Sequence, residues 1–161
     1  MKDFILVRTL DELDPESKHL VQKAEETLQY AYAPYSKFRV GAALLLDNGA
    51  IITGTNQENA AYPDGMCAER VALFTMASQY PGISLKKLVV VAKSENAPIL
   101  SPATCCGSCR QVMLEFEQRQ NKVFEVIMQN RDRQWVKAAS AESLLPFSFT
   151  KTRVTQSPGS Y

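Results

Sequence analysis

Two short runs in this chain carry residue types able to do chemistry. Cys67-Ala68-Glu69-Arg70 and Cys106-Gly107-Ser108-Cys109 together supply three thiols and one carboxylate that is not needed as a ligand. Three protein ligands leave a zinc ion with an open fourth position where water can sit, the arrangement of catalytic rather than closed structural sites. Glu69 lies two residues from the first thiol, close enough to move that water's protons without binding the metal. The spacing predicts a catalytic Zn2+, one per chain, with Glu69 as the proton carrier.

Thiolates rather than thiols bind zinc, so the surroundings must favour negative charge on three sulfurs at once. Both runs read as helix starts, where unpaired backbone N–H groups and the positive end of the helix dipole do this. The interval of three puts Cys106 and Cys109 on one side of a first turn, and Gly107 removes a side chain that would crowd the metal. Arg70, permanently charged and rich in donors, is the residue placed to offset the excess negative charge of three thiolates. A fourth thiol, Cys105, also stands at a helical interval from Cys109 and offers zinc another pair, or a closed structural site of four sulfurs. Against the structural reading, Glu69 has no structural reason to follow a metal ligand.

These residues need elements to hold them. Asp14-Pro15-Glu16 has the form of a helix start, and Leu20, Val21, Ala24, Leu28 and Ala31 then recur at helical spacing until Pro34 stops the helix near Ala33. Phe38 to Leu46 reads as a strand, Asp47-Asn48-Gly49 as a tight turn, and Ala50 to Thr55 as the returning strand of a hairpin. Cys67 opens a second helix whose face carries Cys67, Val71, Phe74 and Ala77, ended by Pro81-Gly82. The run Leu88 to Val91 suits a strand covered on both faces, and a third helix starts near Cys106 with Cys109, Val112, Met113 and Phe116 along one stripe. Lys122 to Gln129 and a strand around Trp135-Val136 are joined by a link short enough to force a hairpin, and Ser140 to Leu145 makes a short closing helix. The order describes an α/β chain: a three-layer α/β/α sandwich around a mixed five-stranded sheet. We expect a single catalytic domain over residues 1–154 and a mobile tail over 155–161.

Composition narrows the partners. A chain of 161 residues, 45% of them hydrophobic, can bury one substantial core, and a net charge of +1 provides no general electrostatic reason to bind nucleic acid. The apolar stretch Phe4 to Val7 is too short for a signal-peptide core or a membrane span, so a cytoplasmic location with no membrane partner is the expectation. In that reducing compartment, metal binding explains four cysteines better than disulfides do. His19 lies among charged neighbours on the first helix and reads as a solvated side chain.

The whole set resembles the cytidine deaminase family, in particular its small, homotetrameric, three-cysteine branch. Besides the zinc runs, the resemblance rests on Tyr32-Ala33-Pro34-Tyr35-Ser36-Lys37-Phe38, Val40-Gly41-Ala42-Ala43, Asn56-Gln57-Glu58-Asn59-Ala60-Ala61-Tyr62, Arg110-Gln111 and Leu144-Leu145-Pro146. It implies hydrolytic deamination of cytidine and deoxycytidine for pyrimidine salvage: zinc-activated water attacks C4 of cytosine, Glu69 delivers a proton to N3 and then helps ammonia leave. It also implies that Asn56 and Glu58 hold the ribose, that Phe38 walls the base, and that the Ala68 N–H meets the pyrimidine carbonyl oxygen. Phe149 matches a phenylalanine that reaches into a neighbouring subunit's site. The intact Cys-Gly-x-Cys pattern favours Cys106 and Cys109 over Cys105, which stands where the family usually has proline. A deaminase of a nucleoside antibiotic such as blasticidin S, a nucleic-acid deaminase and a noncatalytic zinc-stabilised interaction module are the competing readings; Asn56, Glu58 and Phe149 favour the simple nucleoside.

Overall fold

Alternation of side chains along the central strands sets the architecture, seen in a computed structural model that describes residues 3–151. The boundary expected at 154 and the tail at 155–161 lie outside those residues. In chain order the elements are β1 (Phe4–Val7), α1 (Pro15–Thr27), β2 (Phe38–Leu46), β3 (Ile51–Thr55), α2 (Ala68–Gln79), β4 (Leu85–Ser94), α3 (Gly107–Gln120), β5 (Glu125–Gln129) and β6 (Trp135–Ala138). The strands lie side by side as β1-β6-β5-β4-β2-β3, with β4 and β5 parallel and every other neighbouring pair antiparallel. Both expected hairpins are present, the first turning at Gly49 with φ 85°.

The two faces of the sheet are covered as the Leu88–Val91 run implies. Val89 and Val91 pack with Ala43, Leu45 and the Leu20, Val21 and Ala24 stripe of α1. Leu88 and Val90 point the other way, into a larger core with Ala42, Leu44, Leu46 and the buried faces of α2 and α3. Period-two burial on both faces thus gives α1, sheet, and α2 with α3 as three layers.

Three expectations need correction. The sheet has six strands rather than five, because Phe4–Val7 pairs antiparallel with β6. That strand is short, mostly exposed and partnered across most of the chain, so no turn signal marks it. Helix α1 ends at Thr27 and continues only as a 3-10 turn over Leu28–Tyr30, stopping before Ala33. Tyr32 is drawn out to pair with the loop after β3, its N–H donating to the Asn56 carbonyl at 3.0 Å while its own carbonyl accepts from Glu58 at 2.8 Å. On α2 the buried face is Ala68, Glu69, Ala72, Leu73 and Met76, and Phe74 is 47% exposed. The inward stripe is rotated from the one read through Val71 and Phe74, which puts Glu69 inside.

Two polar clusters, each centred on one buried charged side chain, tie the layers together. Lys87, 7% exposed in its side chain, meets Asp14 at 2.9 Å, Glu16 at 3.1 Å and Glu125 at 3.5 Å, and Lys137 meets Asp14 at 2.9 Å and Glu125 at 3.1 Å. Asp14 also caps α1 by accepting from the Ser17 N–H at 2.9 Å. On the opposite face the buried Glu117 carboxylate accepts backbone N–H groups from Phe124 at 3.1 Å, Ala141 at 2.6 Å and Glu142 at 3.1 Å. It joins α3 to the start of β5 and to the 3-10 turn at Glu142–Leu144.

Burial alone would raise the pKa of Asp14, but hydrogen bonds from Ser17, Lys137 and Lys87 outweigh it and hold the carboxyl far below its ordinary value of 3.8. A depressed folded-state pKa contributes stability that is present above 3.8 and is lost as the pH falls through the folded value. We expect Asp14→Ala to lower stability at neutral pH by about 2 kcal/mol, through loss of the cap and of a partner to Lys87. Urea unfolding across a pH series should also show the variant losing less of its remaining stability than the wild type below about pH 4.

Candidate active site

Helix α2 reaches the sheet through a missing side chain. A Cβ on Gly54 of β3 would lie 2.5 Å from the Ala72 nitrogen and 2.6 Å from the Ala68 carbonyl oxygen, so only glycine lets the first turn of α2 sit this close to the strand. That turn carries Cys67 as its N-cap, then Ala68 and Glu69. Helix α3 begins beside it, with Cys106 as N-cap and Cys109 in the first turn. The Cys109 N–H donates to Cys106 Sγ at 3.4 Å, so one sulfur performs the capping that an oxygen usually does.

The sulfurs of Cys67, Cys106 and Cys109 lie within 4.8 Å of one another, and Cys67 and Cys106 are 3.8 Å apart. Zinc–sulfur bonds of about 2.3 Å in tetrahedral geometry require sulfur–sulfur separations of about 3.8 Å. The donor set therefore fits the ion in softness, number and spacing. Cys105 is not part of this group, and all four cysteines are free. Among the described residues nothing beyond its chain neighbours and its own helix backbone lies within 4 Å of where a Gly107 Cβ would be, so relief of crowding against other parts of the protein is not the reason for that glycine.

Charge at the site is distributed unevenly. The Cys67 thiol is held well below its ordinary pKa, first by a hydrogen bond from Cys109 and then by Arg70 and Cys106, while that same bond and burial push Cys109 up. Of this hydrogen-bonded pair, Cys67 is thus the sulfur that holds negative charge more readily. Arg70 Nη2 donates to it at 3.6 Å, and Arg70 Nε is buried with no acceptor among the described residues. The guanidinium sits beside the sulfurs as the cation that three thiolates around a divalent ion call for. Glu69, 4% exposed, has its pKa raised by burial and then by the charge of Cys67, which makes it a better proton acceptor than an exposed glutamate. Burial, and then Glu69, also push the Cys105 thiol well above its ordinary value.

Cys67, Cys106 and Glu69 open onto a cavity of about 500 Å³, the size of a small-molecule site. Phe38, Asn56, Glu58 and Ala68 line the same cavity, so four of the expected substrate residues meet two of the three expected metal ligands there. Phe38 is aimed by a left-handed residue, Lys37 (φ 57°), and its N–H donates to Ser36 Oγ at 3.1 Å. Asn56 braces the wall, its Oδ1 accepting from the Val40 N–H and its Nδ2 donating to the Phe38 carbonyl, both at 2.9 Å. Each of those amide atoms has one further hydrogen-bonding position. The Glu58 carboxylate accepts from the Tyr35 N–H at 2.9 Å, the Ser36 N–H at 3.2 Å and the Ser36 hydroxyl, the last being the main cause of its lowered pKa.

Phe149 is not among the residues lining this cavity. It is 63% exposed, and its carbonyl accepts from Gln111 Nε2 at 2.9 Å. The far wall consists of Pro102, Ala103 and Thr104, which sequence reasoning did not assign. They are stitched in by Ser101 against Ala92 of β4 and Ala103 against Gln129 of β5, pairings between distant segments with no local signature.

A three-layer α/β fold that sets a group of three thiols and a buried carboxylate at the edge of one small-molecule cavity has the layout of a zinc-dependent hydrolase. The family model for the cytidine and deoxycytidylate deaminase zinc-binding region matches residues 15–125. Cytidine deaminase from Sporosarcina psychrophila is 39% identical over 133 residues, 82% of this chain and 90% of that one. Cytidine deaminase from Halalkalibacterium halodurans is 39% identical over 131 residues, 81% and 92% of the two chains. The crystal structure of cytidine deaminase from Burkholderia pseudomallei superposes with a TM-score of 0.67 at 38% identity, covering 85% of this chain and 100% of that one. The chain belongs to the cytidine and deoxycytidylate deaminase family.

Metal analysis of purified protein is expected to find one zinc per chain, lost in Cys67→Ala, Cys106→Ala and Cys109→Ala and kept in Cys105→Ala. Zinc lost from Cys105→Ala but kept by Cys106→Ala would reverse the choice of sulfurs.

Proposed function

We propose that this chain catalyses the hydrolytic deamination of cytidine and deoxycytidine to uridine and deoxyuridine with release of ammonia, as an enzyme of pyrimidine salvage. The observation that carries the proposal is the buried Glu69 carboxylate, on the cavity wall next to the sulfur group and with its pKa raised. The names of the relatives given above favour cytidine over an antibiotic nucleoside.

Zinc held by Cys67, Cys106 and Cys109 would supply a Lewis acid that lowers the pKa of water. Glu69 takes a proton from the water that adds to C4 and passes it to N3 of the pyrimidine. The proton of the hydroxyl now on C4 then goes through the same carboxylate to the exocyclic nitrogen, the C4 carbonyl forms as the C4–N bond breaks, and ammonia leaves. Ala68, first residue of α2, has an N–H that helix geometry leaves without an intrahelical acceptor, suited to the pyrimidine carbonyl oxygen. Phe38 offers a face to the base, and Asn56 and Glu58 offer a donor and acceptors to the ribose 3'-hydroxyl. Arg70 offsets the negative charge on the sulfurs.

The assembly we propose is a homotetramer in which Phe149 enters a neighbour's cavity, since its ring lies exposed while its backbone is anchored by Gln111. A cytoplasmic location suits four free thiols, and among the described residues no helix is long and apolar enough to cross a membrane.

With cytidine as substrate and ammonia as the readout, Glu69→Gln is expected to keep its zinc and lower kcat by about 10³-fold or more. Undiminished turnover would remove Glu69 from the mechanism. Phe149→Ala is expected to raise KM by about fivefold through loss of one ring contact. An unchanged KM would count against the shared site.

A further inference from the structure

The cavity beside the sulfur group has a neighbour. A second cavity of about 440 Å³ is lined by Tyr35, Ser36, Glu58, Asn59, Tyr62 and Gly65, and it shares Glu58 and Gly65 with the first. These two residues stand on the border between the spaces. One carries a carboxylate already held by Tyr35 and Ser36, and the other has no side chain.

Glycine at 65 needs a reason, and the fold does not supply one. It follows the 3-10 turn Tyr62–Asp64 with φ −65° and ψ 149°, a conformation open to any residue. Beyond its chain neighbours, a Cβ there would meet the Gln57 and Tyr62 carbonyl oxygens at 3.5 Å and the Asn59 nitrogen at 3.8 Å, ordinary contacts all three. At Gly54, by contrast, a Cβ would lie 2.5 Å from backbone. What a side chain at 65 would take is space on the border.

The second cavity has its own chemistry. Tyr35 is 54% exposed and Tyr62 84%, so two rings offer their surfaces to a planar group. Asn59 Oδ1 accepts from the Ala61 N–H at 2.9 Å, which leaves the amide nitrogen as the donor that Asn59 can offer. Glu58 is the one charged residue among those lining the cavity. Lys37 lines neither cavity, and its ammonium lies 4.0 Å from Glu95. An uncharged group suits this lining, and a phosphate beside the Glu58 carboxylate does not.

We propose that the second cavity is a subsite for an uncharged planar group carried on C5' of the ribose and reached over Gly65, so that 5'-substituted cytidines are substrates as well as the free nucleoside. The proposal rests on the deaminase reading, in which Asn56 and Glu58 take the 3'-hydroxyl and so put the sugar at the border. C5' is the one ribose carbon outside the ring, the arm that can carry a group across. Gly65 is then a specificity-determining residue, a glycine kept for the opening it leaves.

Ultraviolet absorbance follows deamination of three compounds: cytidine, 5'-benzamido-5'-deoxycytidine and cytidine 5'-monophosphate. We expect the benzamide to show a kcat/KM within about tenfold of cytidine's, and the monophosphate one about 100-fold lower than cytidine's. The ratio of benzamide to cytidine kcat/KM should fall about fivefold in Tyr62→Ala, through loss of one ring contact. It should fall about tenfold in Gly65→Val, where the border is filled.

Turnover of cytidine with none of the benzamide overturns the subsite, the result that a neighbouring subunit filling the second cavity would give. An unchanged ratio in either variant does the same. A monophosphate as good as cytidine overturns the uncharged class of substituent. No turnover of cytidine itself would sink the deaminase reading instead, a failure that the same assay reports separately. Should Gly65→Val fail to fold, Gly65→Ala and the surface variant Tyr62→Ala decide the matter by the same ratio.

Discussion

The abutment of two helix starts is the constraint on which the rest depends. Each contributes sulfur at its N-cap, and Cys109 adds a third from the first turn of α3. Three thiols within 4.8 Å would repel one another once ionised, and the structure meets that cost with oriented backbone N–H groups, two positive dipole ends and Arg70. The same crowding acts on Glu69. Packed inside beside a charged sulfur, its carboxylate is pushed toward holding a proton, the property its proposed work needs.

Bringing the helix starts together is the work of the sheet. Gly54 lets α2 lie against β3, and Gly41 of β2 does the same for α1 on the other face, where a Cβ would collide with the Ala24 carbonyl oxygen. The cavity then forms between the start of β2, Val90 in the middle of β4, the start of α2 and the stretch Pro102–Thr104. Its walls are held mainly by the backbone: Asn56 bridges Phe38 and Val40, and Glu58 gathers the amides of Tyr35 and Ser36. Residues read from the sequence as contacts for a sugar therefore also shape the wall from which they would make those contacts.

Much of this was legible in the chain itself, for a physical reason. Ligand spacing at a helix start, a tight turn at Asp47-Asn48-Gly49 and a continuous Leu88–Val91 run are local signals, and the structure builds a sulfur group, a hairpin and a doubly covered strand from them. What escaped was nonlocal. The partner of β1 is β6, more than a hundred residues away, and the wall at Pro102–Thr104 is located by bridges to β4 and β5. Around α2 the helical period was right but the phase was wrong, because Cys67 and Phe74 look apolar enough to face inward, whereas tertiary packing turned Ala68, Ala72 and Leu73 to the core and left Phe74 outside. The end of α1 was missed for a related reason: residues with helical periodicity were taken over by pairing to the loop after β3.

Glu117 gives the molecule a property that no single element has. One buried side chain terminates three amides from two separate stretches, at Phe124 and at Ala141 and Glu142. None of the three can exchange its hydrogen with solvent through the carboxylate's release without uncovering the other two. The far end of α3, the entrance to β5 and the 3-10 turn at Glu142–Leu144 are therefore coupled as one cooperative unit of local opening, and amide exchange at these three positions should share a single free energy.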